Sequence, residues 1–200
     1  MFVTTEERTP LCHRLLEDTR LFDLKKRFDE DLAAKTKAGR CPECGGRLDV
    51  ANYARKPRGG PDGHDLRLSF CCAAEGCRRR ATPPSVRFLG RKVYFAAMVV
   101  LATTMQQGVT PARLSRLRGL LGVSRRTLRR WRLWWAEVFG RSPFWQAGRG
   151  QFARSVDETQ LPLFILEAMG WKNDQREALL RLLRFIAPVS TRPGLSSWPI

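Results

Sequence analysis

Apolar residues recur along this chain with two different periods, and the changes of period divide it into modules. Over residues 1–40, Leu11, Leu15, Leu16, Leu24, Phe28 and Leu32 recur mostly three and four residues apart, the spacing that puts side chains on one face of a helix. Thr9-Pro10 and Asp23 offer helix starts and Gly39 a stop, so the pattern predicts two short helices. Their one-sided stripe suits packing on the rest of the chain or on a second protomer, as in a homodimer. From Cys41 to Arg80 the period changes to two. Residues 47–53 and 65–72 alternate and are joined by the Gly- and Pro-rich ARKPRGGPDGH, which predicts a β-hairpin within a module spanning 41–81. The prolines of TPPSVRF exclude a helix next, so residues 82–89 read as an extended linker and a domain boundary.

Helical periodicity returns over 90–140. Residues 91–107 are apolar nearly all round, as a buried helix is, and Gly108 ends that run. Thr110-Pro111 opens a second helix that Gly122 closes, and Ser124 caps a third running to about Phe139. Residues 141–200 hold an irregular stretch, a short helix near 162–169, a longer one opened by an Asp174…Glu177 capping box and stopped by Pro188, and a loose tail. The expected fold is therefore mainly α with a small β module: N-terminal helices, a hairpin, a linker, a three-helix domain and a helical C-terminal region.

Charge turns this architecture toward a polyanionic partner. The formal charge is +17 over 200 residues, and only seven of the 36 basic residues are Lys. The remainder are Arg, whose planar fork suits phosphate and guanine. Residues 85–156 hold 14 Arg or Lys against the single acid Glu137. Nucleic acid is the partner this balance selects. The longest apolar run, 93–102, is far short of the roughly 20 residues a membrane span requires, and Glu6 and Glu7 stand where a secretion signal has a basic region. The expectation is a cytoplasmic, nucleoid-associated protein with no membrane partner.

Six cysteines change the picture of the β module. Clustered near Gly and Arg in a chain without a secretion signal, they read as metal ligands before disulfides. CPECGG places Cys41 and Cys44 on one tight knuckle, and CCAAEGC must supply the second half of a site. The resulting ligand set is Cys41, Cys44, Cys72 and Cys77, with 2, 27 and 4 residues between successive members. Cys72 is preferred to Cys71 because Leu66, Leu68, Phe70 and Cys72 alternate onto one strand face. Four cysteines leave no open coordination position, so the expected cofactor is one structural Zn²⁺ per chain, fixing a hairpin of about 35 residues that is too small to bury a core unaided. Cys12-His13 reads as helix surface and His64 as a solvated loop residue.

The stretch LRGLLGVSRRTLRRWRLWW (117–135) joins a helix ending in Leu120-Leu121, a glycine turn, Val123, the N-cap Ser124 and an Arg-dense helix. It resembles the helix-turn-helix of bacterial regulators and transposon proteins. At roughly 100° per residue, Leu128, Trp131, Trp135, Val138 and Phe139 share a core-facing sector and Arg126, Arg129 and Arg130 lie opposite, with Arg125 and Arg132 at the boundary. N-terminal residues of such a second helix contact base edges. Ser124, Arg125, Arg126, Arg129, Arg130 and Arg132 are thus the candidate DNA-contacting residues. Arg55, Lys56 and Arg58 form a second basic patch at the hairpin tip, read equally well as phosphate-contacting or as solvated. Trp134 and Trp145 fit either core packing or base stacking.

A zinc ribbon followed by a helix-turn-helix resembles the small DNA-binding proteins and N-terminal targeting modules of bacterial insertion sequences. The resemblance implies double-stranded DNA as partner, with a transposase or recombinase as a further one. Many such elements add a nuclease domain with a carboxylate triad on an RNase H-like sheet. Here the acids after residue 140 are Asp157, Glu158, Glu167, Asp174 and Glu177, in a largely helical remainder that cannot supply that sheet. No Ser/His/Asp set, HExxH or phosphate-binding glycine loop occurs either. The expectation is a non-enzyme: a zinc-stabilised, sequence-specific DNA-binding protein acting as a mobile-element accessory or transcriptional regulator. The alternatives are an end-recognition subunit of a transposase or recombinase complex and an RNA-binding zinc protein.

Overall fold

The structure is a computed structural model that describes residues 14–55, 57, 61–89, 94–105, 115, 119, 122–152 and 157–192. It is mainly helical with a small antiparallel sheet. Two compact units divide the chain: Thr19–Phe95 with Arg184–Ser197, and Ala96–Leu183 with Met1–Asp18 and Trp198–Ile200.

The first unit carries the β module. Helix α1 (Thr19–Ala38) is one continuous helix of 20 residues, not two short ones. It runs through Asp23, the expected start; a separate helical turn over 14–17 belongs to the other unit. Strands β1 (Leu48–Val50), β2 (Tyr53–Ala54), β3 (Leu66–Arg67), β4 (Phe70–Cys72) and β5 (Arg80–Ala81) follow. They form a three-stranded sheet ordered β1-β4-β5 and a two-stranded sheet β2-β3. The hairpin stands where alternation placed it, with Leu48 opposite Cys72 and Tyr53 opposite Arg67 in one continuous register. A third strand, β5, pairs Phe70 with Ala81. At the knuckle end, Leu48, Phe70, Cys72 and Ala81 pack with Ala33 of α1 into one apolar cluster.

Which hairpin face is covered changes along its length. Phe70 and Cys72 are buried near the knuckles, whereas toward the tip Arg67 is buried and Leu66 is exposed. The shared face of Leu66, Leu68, Phe70 and Cys72 is therefore core at one end only.

Charge accounts for the rest of this unit. The buried residues of α1 are Leu21, Phe22, Lys25, Asp29 and Ala33, and the expected stripe Leu24, Phe28 and Leu32 is only half-buried beside them. The Asp29 carboxylate accepts from Ser85 Oγ at 2.6 Å, Val86 N at 2.7 Å and Arg87 Nε at 2.8 Å. Arg87 also donates to the His64 carbonyl at 3.2 Å and the Leu66 carbonyl at 2.9 Å, while Ser85 N donates to Ser190 Oγ at 3.0 Å. Both ion-pair side chains are 1% exposed. A buried charge pair is tolerable only when its remaining hydrogen-bonding capacity is used, and here it is. The segment expected as an extended linker consequently bends at 86–87 and is buried there, with Val86, Phe88 and Leu89 each 1% exposed, and it belongs to the same unit as the hairpin.

His64 departs from its expected solvated position. It is 8% exposed, with its ring edge-on to Phe22 at 5.5 Å and Nε2 3.6 Å from Asp23. Burial pushes its pKa down; Asp23 opposes this, and Arg87, Lys26 and Lys25 add to it. The unfolded chain therefore takes up this proton first, at about pH 6.5, so stability should fall as pH drops below that value. Urea midpoints between pH 7.5 and 5 should show the decline, and His64→Gln should flatten it.

The second unit opens with α2 (Ala96–Met105), in which residues 96 to 104 are all buried. Its two threonine hydroxyls are satisfied by backbone carbonyls one turn earlier, Thr103 to Val99 at 2.8 Å and Thr104 to Val100 at 3.0 Å. Helix α3 (Arg125–Leu133) packs against it and continues as a π-helical turn, Trp134–Phe139. The expected helix between them, over 110–121, lies outside the described residues apart from 115 and 119. Helices α4 (Pro143–Gly148), α5 (Leu163–Ala168) and α6 (Gln175–Ile186) complete the order, α6 crossing the division between the units. Asp174 caps α6 by accepting from Glu177 N at 3.0 Å, but the Glu177 carboxylate accepts from Arg181 at 2.8 Å and forms an ion pair there. Among the described residues no helix is long and apolar enough to cross a membrane.

Candidate functional site

The two cysteine knuckles meet at the base of the hairpin. The Sγ atoms of Cys41, Cys44, Cys72 and Cys77 all lie within 4.8 Å of one another, with Cys44 to Cys72 at 3.4 Å and Cys41 to Cys77 at 3.8 Å. A tetrahedral metal with sulfur ligands at about 2.3 Å sets them about 3.8 Å apart, so the four atoms are spaced for one ion. Local backbone geometry builds this. Cys41 N donates to the Gly46 carbonyl at 2.9 Å and Gly45 N to the Cys41 carbonyl at 2.8 Å, a turn that holds Gly45 at φ +70°. Gly46 leaves room for sulfur: a Cβ there would stand 3.1 Å from Cys72 Sγ and 3.3 Å from Cys44 Sγ. Cys71 points elsewhere, its Sγ 3.3 Å from the Arg78 carbonyl.

Each sulfur has backbone N–H groups within reach. Those of Glu43 and Cys44 lower the Cys41 thiol to about 7. The same kind of contact draws down Cys44 from Gly46, Cys72 from Ala74 and Cys77 from Arg79, but burial and neighbouring thiols together push these three up. Four thiols this close resist ionising together unless a cation takes their charge. The cluster can thus hold a metal ion. Among the described residues it is the group of three or more His, Cys, Asp or Glu so placed.

Four of the five acids after residue 140, Asp157, Glu158, Asp174 and Glu177, have other partners. Asp157 accepts from Thr159 N at 2.9 Å. Glu158 accepts from Trp145 Nε1 and Gln146 Nε2 at 3.3 Å each and from Arg149 Nη1 at 3.1 Å.

The second candidate surface is α3. Gly122 at φ +58° makes the turn before it, a conformation that favours glycine. Val123 is buried, and the Ser124 side chain caps the helix by accepting from Thr127 N at 3.2 Å. Leu128 and Trp131 face the core, while Ser124, Arg125, Arg126, Arg129 and Arg132 are exposed and Arg130 is half-buried. Arg130, expected on the open side, is thus partly covered there, and Arg132, expected at its boundary, is open to solvent. Trp134, Trp135 and Trp145 are at most 1% exposed, packed around Phe139 in tilted and edge-on arrangements with ring centroids 5.6, 4.8 and 5.5 Å from it. At the hairpin tip, Arg55 is half-buried with its guanidinium 5.9 Å from the Phe88 ring; Lys56 and Arg58 lie outside the described residues. Sequence reasoning missed Gly46 and strand β5. The CGG doublet was the available signal for the first, and nothing in RRRA marked the second.

No protein-family model, curated protein or solved structure matches this chain.

Proposed function

We propose that this protein binds double-stranded DNA sequence-specifically through α3, with Cys41, Cys44, Cys72 and Cys77 holding one structural Zn²⁺ that keeps the ribbon folded. The observation that carries the reading is the division of α3 into two faces: a tryptophan core on one side and an acid-free arginine surface on the other, introduced by a glycine turn and a serine cap. Helices of this kind enter the major groove, where a bidentate Arg recognises guanine. Zinc is the metal of choice because an all-sulfur tetrahedral set selects soft, four-coordinate ions, and four protein ligands leave no position for a reacting water. The burial of Trp134 and Trp145 supports duplex over single-stranded nucleic acid, since neither ring offers a stacking surface. A mobile-element accessory or transcriptional regulator is the role this combination fits.

Arg126→Ala and Arg129→Ala should each cost about 1–3 kcal/mol on a duplex selected from random sequence and little on unrelated DNA. Fluorescence anisotropy with both duplexes decides it. Equal losses on both would reduce these side chains to phosphate contacts, and absence of any duplex binding by the unmodified protein would end the DNA reading.

A further inference from the structure

We infer that Leu133 is a specificity-determining residue that packs on the C5-methyl group of a thymine in the bound duplex. The inference rests on the DNA-binding reading of α3 and deepens it. Among the described residues, three large hydrophobic side chains are exposed: Val50 and Leu66 on the ribbon, and Leu133, at 42%, on α3. Every tryptophan described in the unit of α3 is buried, so this leucine is left out of a core that accommodates far larger side chains.

Its place on the helix explains why. Leu133 follows Arg126 by seven residues, Arg129 by four and Arg130 by three, intervals that share one side of an α-helix. The backbone widens into the π-helical turn at the next residue, marked by Gly140 N donating to the Trp135 carbonyl at 3.0 Å. That turn keeps Trp134, Trp135 and Phe139 together in the core. Leu133 stays on the arginine side, and the exposed Ala136 extends the apolar strip.

The surroundings select the occupant. Arg126 and Arg129 are exposed two turns and one turn before this leucine and Arg132 beside it, with the exposed Glu137 one turn after it; three cations against one acid favour a polyanion over a neutral protein surface. Phosphate offers a leucine nothing. The apolar group that duplex DNA displays in its major groove is the thymine methyl. With the helix axis along the groove, Leu133 lies about 6 Å beyond Arg129, close to two base-pair rises of about 3.4 Å. The bound site should therefore carry a thymine about two base pairs beyond the guanine that Arg129 reads.

The test uses the full-length protein and a duplex selected from random sequence. Each thymine of the site is replaced singly by deoxyuridine, which removes only the methyl group. One replacement should weaken the unmodified protein about four-fold, the effect of one buried methyl. Leu133→Ala should bind the thymine duplex correspondingly less well and be indifferent to that same replacement, while Arg129→Ala keeps its sensitivity. Leu133→Gln, of similar length but polar, should behave as the alanine variant does, with the thermal midpoint of both variants unchanged. The inference is overturned if deoxyuridine is tolerated at every position, or if Leu133→Ala still senses it. Light scattering covers a protein occupant: altered self-association of Leu133→Ala together with tolerance of deoxyuridine would assign the leucine to an interface between chains. Failure of the unmodified protein to prefer any duplex removes the DNA reading itself, a result visible before any thymine is changed.

Discussion

Cys72→Ser should release the metal and unfold the ribbon, and Cys71→Ser should do neither. The two residues are neighbours in β4, yet only Cys72 Sγ stands among the other three sulfurs, while Cys71 Sγ faces the Arg78 carbonyl. Ribbon strands of two or three residues bury little surface of their own, so a metal bound at the proposed site would supply much of the driving force for that region. Structural zinc sites in small peptides contribute on the order of 10–16 kcal/mol at neutral pH. Losing one of four ligands would forfeit a large part of this and leave a polar hydroxyl at a position with no exposure. Metal analysis should find one equivalent in the unmodified protein and in Cys71→Ser, and less in Cys72→Ser, with loss of strand signal by circular dichroism. A Cys72→Ser protein that keeps a full equivalent, or a folded ribbon that never binds metal, contradicts the site.

The second large effect lies away from the metal. Asp29→Ala should destabilise the unit containing the ribbon by about 3–5 kcal/mol, because it strands the Arg87 guanidinium in a fully buried position without its counter-charge. Ser85 Oγ and Val86 N lose their acceptor in the same change. Replacing both charges at once, Asp29→Leu with Arg87→Met, should recover much of the loss, since apolar side chains of similar volume bear burial better than a half-broken ion pair. Denaturant unfolding of the single and double variants measures both values. A single-variant cost below about 1 kcal/mol would place the pair among exposed salt bridges in energetic terms.

The features legible in the sequence share a short range. Ser124 and Asp174 each cap a helix through a hydrogen bond to the residue three positions on. The first knuckle is a turn closed by bonds within Cys41–Gly46. Hairpin alternation and the predominantly apolar run of α2 are likewise patterns in neighbouring positions. The choice of Cys72 followed from strand alternation, and the continuous register carries that alternation through to the knuckles.

Partners distant in sequence left no such trace. Asp29 on a charged helix reads as solvated until Arg87, 58 residues later, is folded against it. Around that pairing α1 buries Asp29, with Lys25 buried over the Phe22 ring, while Leu24 and Phe28 are half-buried and residues 85–89 lie inside. Local periodicity records which residues share a face. It cannot record what lies opposite, and burial of a charge depends on that alone. So the hairpin, helices α2, α3 and α6, the caps Ser124 and Asp174, the core face of α3 and the cysteine pairs were determined by the amino-acid sequence read locally. The covered face of α1, the burial of His64 and Arg67, and the inward course of residues 85–89 were decided only by tertiary structure, because each depends on groups that the chain brings together from far apart.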